Sequence, residues 1–376
     1  MSSEKRSRRE IIVVGGGVFG IGAIDNFIRY LDPAAIHITL IEKRDDFLYI
    51  PIDCRNLTED VSGWFIRPYN RLFSRKPTLG QVKKGLVIGF DHEQKIVKLE
   101  SGEVLSYDIL ILTPGCTWSD PNCAPSSHTE IMTYYKSLRD RVRQSDTVVV
   151  IGAGAVGCEV SGEIKSRYPT KSVILVHARE LPLTQAYVSR LRSQVDRTLK
   201  KLDVKVIYNA LGYDNKDGTV TVQHNSVGNM SSEDIKADVV FTTITPKPNT
   251  WFVPSEFKNA VGAIQVRDTF QTLIDPAVFV VGDANDISET KQALHATGNS
   301  FNVLRLNVLS VLDGRQPHVK YRTKMHALAL TMGKYHSAGF LKLPIFGPTV
   351  LPSWLVRKIK GRDMYAKSIV KPLQYD

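Results

Sequence analysis

The sequence predicts an α/β fold with two parallel sheets. Two stretches of the chain support this prediction, because each combines an apolar strand, a glycine-rich turn and a helix in that order. In both turns the glycines follow the spacing Gly-x-Gly-x-x-Gly. The first strand and turn read Ile11-Ile12-Val13-Val14 and Gly15-Gly16-Gly17-Val18-Phe19-Gly20, and the second read Val148-Val149-Val150-Ile151 and Gly152-Ala153-Gly154-Ala155-Val156-Gly157.

Each glycine of such a turn has its own physical role. The first allows a tight turn, the second lets the backbone approach a pyrophosphate, and the third lets the helix pack close to the strand. The helix N-terminus then faces the phosphates with its free N–H groups. Two copies in full strand–turn–helix context predict two bound dinucleotides and, therefore, electron transfer between them.

The first unit continues as a βαβ pattern. The helix predicted over 18–30 ends at Asp32-Pro33, because proline cannot continue a helix. The next strand covers 37–41 and ends at Glu42. A carboxylate at that point is placed to accept hydrogen bonds from a ribose of the dinucleotide.

The second unit repeats the pattern with a difference that affects nucleotide choice. Its strand begins at Thr147, its helix covers about 155–167, and the strand 173–176 ends at His177 instead of an acid. An acid there selects the free ribose hydroxyl of NAD, whereas a missing acid beside an arginine tolerates the extra phosphate of NADP. Arg179 stands two residues further on. Both NADH and NADPH therefore stay open.

Local pattern predicts the remaining elements. Residues 245–250 break regular structure and indicate a crossover back to the first sheet. The strand 278–281 leads to Gly282-Asp283, which places a carboxylate where ligands bind in open α/β sheets. The other predicted elements are strands near 86–90, 95–99, 108–112 and 239–243, a hairpin within 214–234, and helices over 184–202 and about 291–312.

Composition restricts the class of protein. The chain has 376 residues, of which 43% are hydrophobic and 23% charged, as in globular proteins of two or three domains. The net charge is +11 with basic residues at both ends, which suits anionic lipid better than nucleic acid, although solvated charge explains the N-terminal run. No apolar run is long enough to span a bilayer, no signal peptide is visible, and Ser2 stands where N-myristoylation needs glycine.

The cysteines exclude a disulfide framework and favour a reducing compartment. No C-x-x-C pair occurs among the four cysteines, which are Cys54, Cys116, Cys123 and Cys158. No spacing of histidine and cysteine matches a metal site, so no metal is expected.

The order of these motifs resembles the flavoprotein disulfide-reductase superfamily, which binds two dinucleotides. The matching elements are both glycine turns, Glu42, the segment Leu112-Thr113-Pro114-Gly115, the Pro-Asn-Thr segment 248–250, and Gly282-Asp283. The resemblance implies two Rossmann-like domains arranged as in glutathione reductase, with FAD at the first turn and NAD(P)H at the second. Pro114 stands where that superfamily has threonine in an Ala-Thr-Gly turn.

A narrower resemblance covers nearly the whole chain from Ile11 to about Lys371. The sequence is similar to the family of apoptosis-inducing-factor homologues that includes the ferroptosis suppressor protein. The matching motifs are Gly157-Cys158-Glu159, Glu163-Ile164-Lys165, Tyr168-Pro169, Leu294-His295-Ala296, Met332-Gly333, Gly339-Phe340 and Lys360-Gly361-Arg362-Asp363-Met364-Tyr365. Members are FAD-dependent NAD(P)H:quinone oxidoreductases, several of them associated with membranes or lipid droplets.

The resemblance implies roles for particular residues. The FAD site comprises Gly15, Gly16, Gly17, Val18, Phe19, Gly20, Glu42, Arg55, Val87 through its backbone, and Asp283. The NAD(P)H site comprises Gly152, Gly154, Gly157, His177 and Arg179. Glu159 is placed near nicotinamide and flavin, or simply complements the helix dipole. His295 relays protons near the quinone, or is a satisfied core residue. For Arg55 the alternative is a surface ion pair.

The expected reaction passes a hydride from NAD(P)H to FAD and electrons on to a quinone. Thioredoxin-reductase-like enzymes need a cysteine pair near the flavin, and sulfide:quinone reductases need a cysteine late in the chain, yet none follows Cys158. Two alternatives stay open. One is a slow-turnover NADH-binding redox-signalling protein that acts through partners or nucleic acid, and the other is an enzyme whose acceptor is a small electron-carrier protein.

The predicted domains follow from the order of the motifs. Residues 1–125 and 251–320 form an FAD-binding domain, 126–250 an NAD(P)H-binding domain, and 321–376 a C-terminal segment near quinone and membrane. That segment mixes apolar residues such as Trp354 with a basic cluster, which suits an interfacial membrane contact, or else packing on the flavin domain. We expect the protein in the cytoplasm, bound peripherally to the mitochondrial outer membrane or to lipid droplets. We expect no specific binding of nucleic acid.

Overall fold

The computed structural model describes residues 8–226, 229–244, 246–289, 292–296, 298–322, 327–343, 347–361 and 364–374. The first sheet has five strands, all parallel. In spatial order they are Val278–Val280, Ile109–Leu112, Arg9–Val14, Ile36–Glu42 and Gly80–Lys84.

The second sheet has four parallel strands. In spatial order they are Lys205–Ile207, Ser172–Val176, Thr147–Ile151 and Val239–Thr242. The α/β fold with two parallel sheets is thereby confirmed. The proposed domain boundaries stay predictions.

Both predicted βαβ units are present, in matching register. Val14 lies opposite Ile41 in the first sheet, and Ile151 lies opposite Val176 in the second. Each glycine turn therefore stands at the carboxyl edge of its sheet, beside the residue that ends the neighbouring strand. Ligands of open parallel sheets bind at this edge.

Two long α-helices, Val18–Tyr30 and Ala155–Arg167, follow the glycine turns. The other α-helices of the described residues are Asp53–Asn56, Ser62–Phe65, His128–Gln144, Ser189–Lys201, Gly298–Leu312, Ser353–Lys360 and Ala366–Ile369. The helix predicted over about 291–312 is wrong at its start. A 3₁₀ turn covers Ala293–His295, and Ala296 then leaves helical geometry with ψ 68°, so the α-helix begins only at Gly298.

Small sheets surround the two parallel ones. The two crossovers between the sheets pair with each other, since Cys116–Thr117 is antiparallel to Lys247–Pro248. Residue 245 of the predicted crossover lies outside the described residues. The other antiparallel sheets are Val87–Asp91 with Ile96–Leu99 and Val104–Ser106, Asp46–Leu48 with Ile66–Pro68, Ala210–Asp214 with Thr219–Ser226 and Asn229–Lys236, and Ala327–Thr331 with Ser337–Leu343 and Gly347–Leu351.

The core continues from one parallel sheet to the other. Val13 and Val150 belong to one large apolar cluster, whereas Val14 and Val149 face smaller clusters on the opposite side of each sheet. Strands buried on both faces explain the unbroken apolar runs before the glycine turns. Within the described part of the chain, no helix has the length and apolar character needed to cross a membrane.

Candidate functional site

The first glycine turn depends on close contacts that exclude a side chain. Gly15 has φ +98°, and a Cβ there would meet the Thr113 carbonyl oxygen at 2.5 Å. A Cβ at Gly20 would collide with the Gly15 carbonyl oxygen. The Thr113 hydroxyl donates to that same carbonyl at 2.5 Å. Thr113, one residue before Pro114, thus supplies a hydroxyl that ties the turn to the neighbouring strand.

The second glycine turn is built in the same way. Gly152 has φ +103°, and a Cβ at Gly157 would collide with the Gly152 carbonyl oxygen. The Thr243 hydroxyl donates to that carbonyl at 2.7 Å. Thr243 follows the strand Val239–Thr242, just as Thr113 follows its own strand in the first sheet.

Gly17 and Gly154, the middle glycines, face open space. A Cβ on either would have no described heavy atom within 4 Å. Both residues cap their helices with nearly the same backbone, φ −68° and ψ −170° at Gly17 and φ −69° and ψ −172° at Gly154, and no side chain of the described residues caps either helix. Two helix N-termini therefore face open space at the sheet edges, which fits a dinucleotide pyrophosphate at each.

Glu42 and His177 make equivalent contacts with the two turns. The Gly16 N–H donates to Glu42 Oε2 at 2.5 Å, and the Ala153 N–H donates to His177 Nδ1 at 3.2 Å. Because Nδ1 accepts a hydrogen bond, the ring is neutral with its proton on Nε2. Burial lowers the pKa of His177 below its ordinary range, and the Arg179 charge lowers it further.

The side chain of Arg179 is exposed near the second turn. His177 Nε2 is buried and makes no hydrogen bond with a described residue. The second turn therefore presents a cation and a neutral ring where the first presents a carboxylate.

Other predicted FAD residues lie around the first turn. Phe19, in the first turn of its helix, packs on Gly282, where a Cβ would meet the Phe19 ring at 2.8 Å. This contact brings Asp283 to the same sheet edge as the glycines, while Val18 packs against the main apolar cluster. Val87 is buried at the start of its strand, packed with Val14 in one apolar cluster.

Arg55 lies in a buried ion pair rather than a surface one. Its Nη2 is 3.1 Å from Glu163 Oε1, and the two residues are 5% and 4% exposed. Arg55 Nη1 also donates to the Gly361 carbonyl at 2.8 Å. Burial raises the pKa of Glu163, and the Arg55 charge opposes this rise. Arg55 therefore joins the helices Asp53–Asn56 and Ala155–Arg167 to the C-terminal segment.

Glu159 lies in a second buried ion pair close by. Lys360 Nζ donates to Glu159 Oε1 at 2.7 Å and to the Ala329 carbonyl at 2.9 Å. The Thr331 N–H also donates to Glu159 Oε1, at 3.0 Å. Together with the preceding pair, these contacts make a buried charge cluster of Arg55, Glu159, Glu163 and Lys360.

His295 ends the 3₁₀ turn before the last long helix and is buried. Its Nδ1 is 3.3 Å from Glu289 Oε1, close enough for an ion pair when the ring is protonated, but without hydrogen-bond geometry. The Ser300 hydroxyl donates to its backbone carbonyl at 2.5 Å. His295 is thus a buried ring beside a carboxylate.

Sequence reasoning missed several residues that hold these sites together. Thr243 was detectable, because it ends the predicted strand 239–243 just as Thr113 directly follows the predicted strand 108–112. Tyr69, whose hydroxyl donates to the Gly16 carbonyl at 2.8 Å, and Lys360 as the partner of Glu159 had no local signal. Both contacts join segments far apart in the chain.

The sequence that forms these sites matches a known protein family. Residues 9–299 match the model of the pyridine nucleotide-disulphide oxidoreductase family, so the chain belongs to that family. Family membership makes it an NAD(P)H-dependent oxidoreductase of the flavoprotein class, with FAD and NAD(P)H as the family's cofactors.

Among curated relatives, the chain is 28% identical over 325 residues to FAD-dependent oxidoreductase FVFD30 from Flammulina velutipes, covering 86% of this chain and 94% of the relative. It is 24% identical over 375 residues to ferroptosis suppressor protein 1 from Mus musculus, covering 97% and 95%. It is 26% identical over 381 residues to apoptosis-inducing factor 1 from Saccharomyces cerevisiae, covering 95% and 96%. The predicted resemblance to this group is confirmed.

Solved structures share the fold. The sulfide:quinone oxidoreductase of Aquifex aeolicus matches with a TM-score of 0.75 at 14% identity, over 96% of this chain and 92% of the other. The water-forming NADH oxidase of Lactobacillus brevis matches with a TM-score of 0.66 at 19% identity, over 89% and 75%. These likenesses confirm the architecture of two Rossmann-like domains.

Proposed function

We propose that this chain passes a hydride from NAD(P)H to FAD and electrons from the flavin to a quinone. The observation that carries the proposal is the pair of matched glycine turns, each with its middle glycine open at a sheet edge. One molecule thereby offers two dinucleotide sites, and the helix of the second turn carries Glu159 and Glu163 of the buried charge cluster. When bound, FAD supplies the chemistry that accepts a hydride and releases electrons to an acceptor.

Each site has an assigned set of residues in this proposal. FAD binds at Gly15, Gly16, Gly17, Val18, Phe19, Gly20, Glu42, Arg55, Val87 and Asp283. NAD(P)H binds at Gly152, Gly154, Gly157, His177 and Arg179. Glu159, fixed by Lys360, orients the nicotinamide end, and His295 holds and delivers protons that quinone reduction requires.

A quinone suits this chain better than a disulfide as the electron acceptor. Cys54 is buried, and burial raises the pKa of its thiol, so it is not a thiolate nucleophile at neutral pH. Cys158 is buried as well, Cys116 is half-buried, and of the four cysteines only Cys123 is exposed. A lipid-soluble quinone would place the protein peripherally on a membrane or lipid droplet, through its basic C-terminal segment.

Turnover experiments test the acceptor. Purified full-length protein loaded with FAD is mixed anaerobically with NADH or NADPH, and the flavin absorbance is followed. We expect bleaching, followed by steady turnover with a short-chain quinone and none with a small disulfide. Failure to bind flavin, or turnover with the disulfide alone, contradicts the proposal. Slow turnover with salt-sensitive DNA binding supports the redox-signalling alternative instead.

The role of His295 has its own test. Replacing His295 with glutamine should lower kcat for the quinone by about tenfold or more, the lower part of the range for general acid–base catalysis, while NADH still bleaches the flavin at the same rate. His128→Gln is the matched control, because His128 is largely exposed. Equal kcat values for the two variants would remove His295 from the mechanism.

A further inference from the structure

One short helix in the C-terminal segment presents aromatic, apolar and basic side chains to solvent. The helix Ser353–Lys360 exposes Trp354 by 61% and Ile359 by 42%, and Arg357 and Lys358 are exposed between them. Trp354 makes no ring contact with a described residue, and neither Arg357 nor Lys358 forms an ion pair with a described carboxylate. Exposed tryptophan beside unpaired cations is typical of surfaces that meet lipid headgroups.

A neighbouring turn extends this surface. The Ser337 hydroxyl donates to the Ser353 carbonyl at 2.7 Å, so the turn before Ser337 lies at the start of the helix. That turn exposes Lys334 and Tyr335, the latter by 64%. We call Lys334, Tyr335, Trp354, Arg357, Lys358 and Ile359 the C-terminal face.

The C-terminal segment that carries this face is basic, since residues 327–376 contain eight lysines or arginines and two aspartates. The described residues between 327 and 374 contain seven lysines or arginines and no aspartate or glutamate. Only Lys360 of these is buried, against Glu159. A basic surface attracts anionic partners over about a Debye length, and each lysine or arginine near an anionic bilayer strengthens binding about fivefold.

We infer that the C-terminal face docks on a lipid surface containing anionic phospholipids, with the Trp354 ring at headgroup depth. The inference names the lipid surface on which the proposed quinone reductase would act, and in that respect it rests on the proposed function. The geometry adds a link to the reaction site. Trp354 and Lys360 stand on one helix, roughly 9 Å apart along its axis, so lipid at this face lies close to the buried charge cluster.

Vesicle binding tests the inference without any activity measurement. FAD-loaded full-length protein is sedimented with vesicles of phosphatidylcholine alone or with one third phosphatidylserine. We expect binding only to the second, weakening as salt rises, with a blue shift of tryptophan fluorescence. Replacing both Arg357 and Lys358 with serine should weaken binding about twentyfold, and Trp354→Ala about tenfold with loss of most of the blue shift.

Matched controls show whether vesicle binding depends on this face or on basic charge anywhere on the protein. Trp251→Ala removes a tryptophan that is 59% exposed elsewhere, and a double change of Lys136 and Arg143 to serine removes two exposed charges from another helix. Both controls should bind like the wild type. Equal binding to both vesicle types, or equal losses in controls and test variants, overturns the inference.

Turnover with a water-soluble quinone, measured without vesicles, separates this inference from the proposed function. All of these variants should keep wild-type turnover. Absence of turnover in the wild type contradicts the proposed acceptor, even where phosphatidylserine binding persists. Normal turnover without phosphatidylserine binding contradicts only the lipid inference.

Discussion

Glu42 and His177 occupy the same position in two matched glycine turns and differ in charge. Each accepts a hydrogen bond from the backbone N–H after the first glycine of its turn. The carboxylate of Glu42 also accepts from the Arg44 N–H at 2.9 Å. A ribose near Glu42 therefore meets a negative charge, whereas a nucleotide phosphate near His177 meets none.

Replacing His177 with glutamate tests this difference. The new carboxylate would repel the extra phosphate of NADPH, so we expect kcat/KM for NADPH to fall by about tenfold or more relative to NADH. Steady-state kinetics with both nucleotides measure the ratio. Arg179→Ala is the companion variant and should lower the NADPH value alone. A ratio unchanged in both variants would show that neither residue selects the nucleotide.

His177 also makes the second turn sensitive to pH. Its pKa lies below the ordinary value of 6.5, because burial and Arg179 disfavour the charged ring. A group whose pKa is lowered on folding stabilises the fold fully above that ordinary value, and this stabilisation is lost as pH falls through the folded pKa. The charged ring cannot accept the Ala153 N–H bond.

Thermal unfolding between pH 8 and pH 5 measures the pH effect. We expect the melting temperature of the wild type to fall more steeply below about pH 6.5 than that of His177→Gln, which accepts a hydrogen bond but does not titrate. Parallel curves for the two proteins would contradict the assigned contact.

In each glycine turn, one glycine is required for packing and another leaves room for a ligand. A Cβ at Gly157 would collide with the Gly152 carbonyl, whereas a Cβ at Gly154 would point into open space. Gly157→Ala should therefore lower the free energy of unfolding by about 1–3 kcal/mol, as overpacking does. Gly154→Ala should leave it within about 0.5 kcal/mol, as at an open surface site.

The same pair of variants tests where the nucleotide binds. The Gly154→Ala methyl group would occupy the space proposed for the pyrophosphate, so KM for NADH should rise about tenfold in a protein of normal stability. Gly17→Ala, the equivalent change in the first turn, should weaken FAD binding instead. A Gly154→Ala variant with normal KM would mean that the open space does not receive the nucleotide.

Local pattern was enough to predict both βαβ units. Gly15, Gly20 and Glu42 lie within one unit, and their spacing reflects contacts between neighbouring elements. The start of the last long helix was mispredicted, because the apolar pattern before Gly298 continues although Ala296 leaves helical geometry. Lys360 was not predictable as a partner of Glu159, since 201 residues separate them and only the folded chain brings them together.

The buried charge cluster joins three parts of the chain. Arg55 comes from the helix Asp53–Asn56, Glu159 and Glu163 come from the helix of the second turn, and Lys360 comes from the C-terminal segment. Buried ion pairs contribute little net stability but penalise the loss of one partner, because the other charge is left in a low-dielectric interior. The cluster therefore fixes how the C-terminal segment sits on the site.

A double-mutant cycle on Glu159 and Lys360 tests this arrangement. Lys360→Met alone should lower the free energy of unfolding by about 3–5 kcal/mol, because Glu159 stays buried without a countercharge. Adding Glu159→Gln should recover most of the loss, since the neutral amide needs no countercharge. Urea unfolding of the FAD-loaded protein measures all four free energies. The exposed pair Lys136–Asp140 serves as the control cycle and should show almost no coupling. A Lys360→Met variant as stable as the wild type, or coupling no larger than in the control, would mean that the C-terminal segment is held by apolar packing alone.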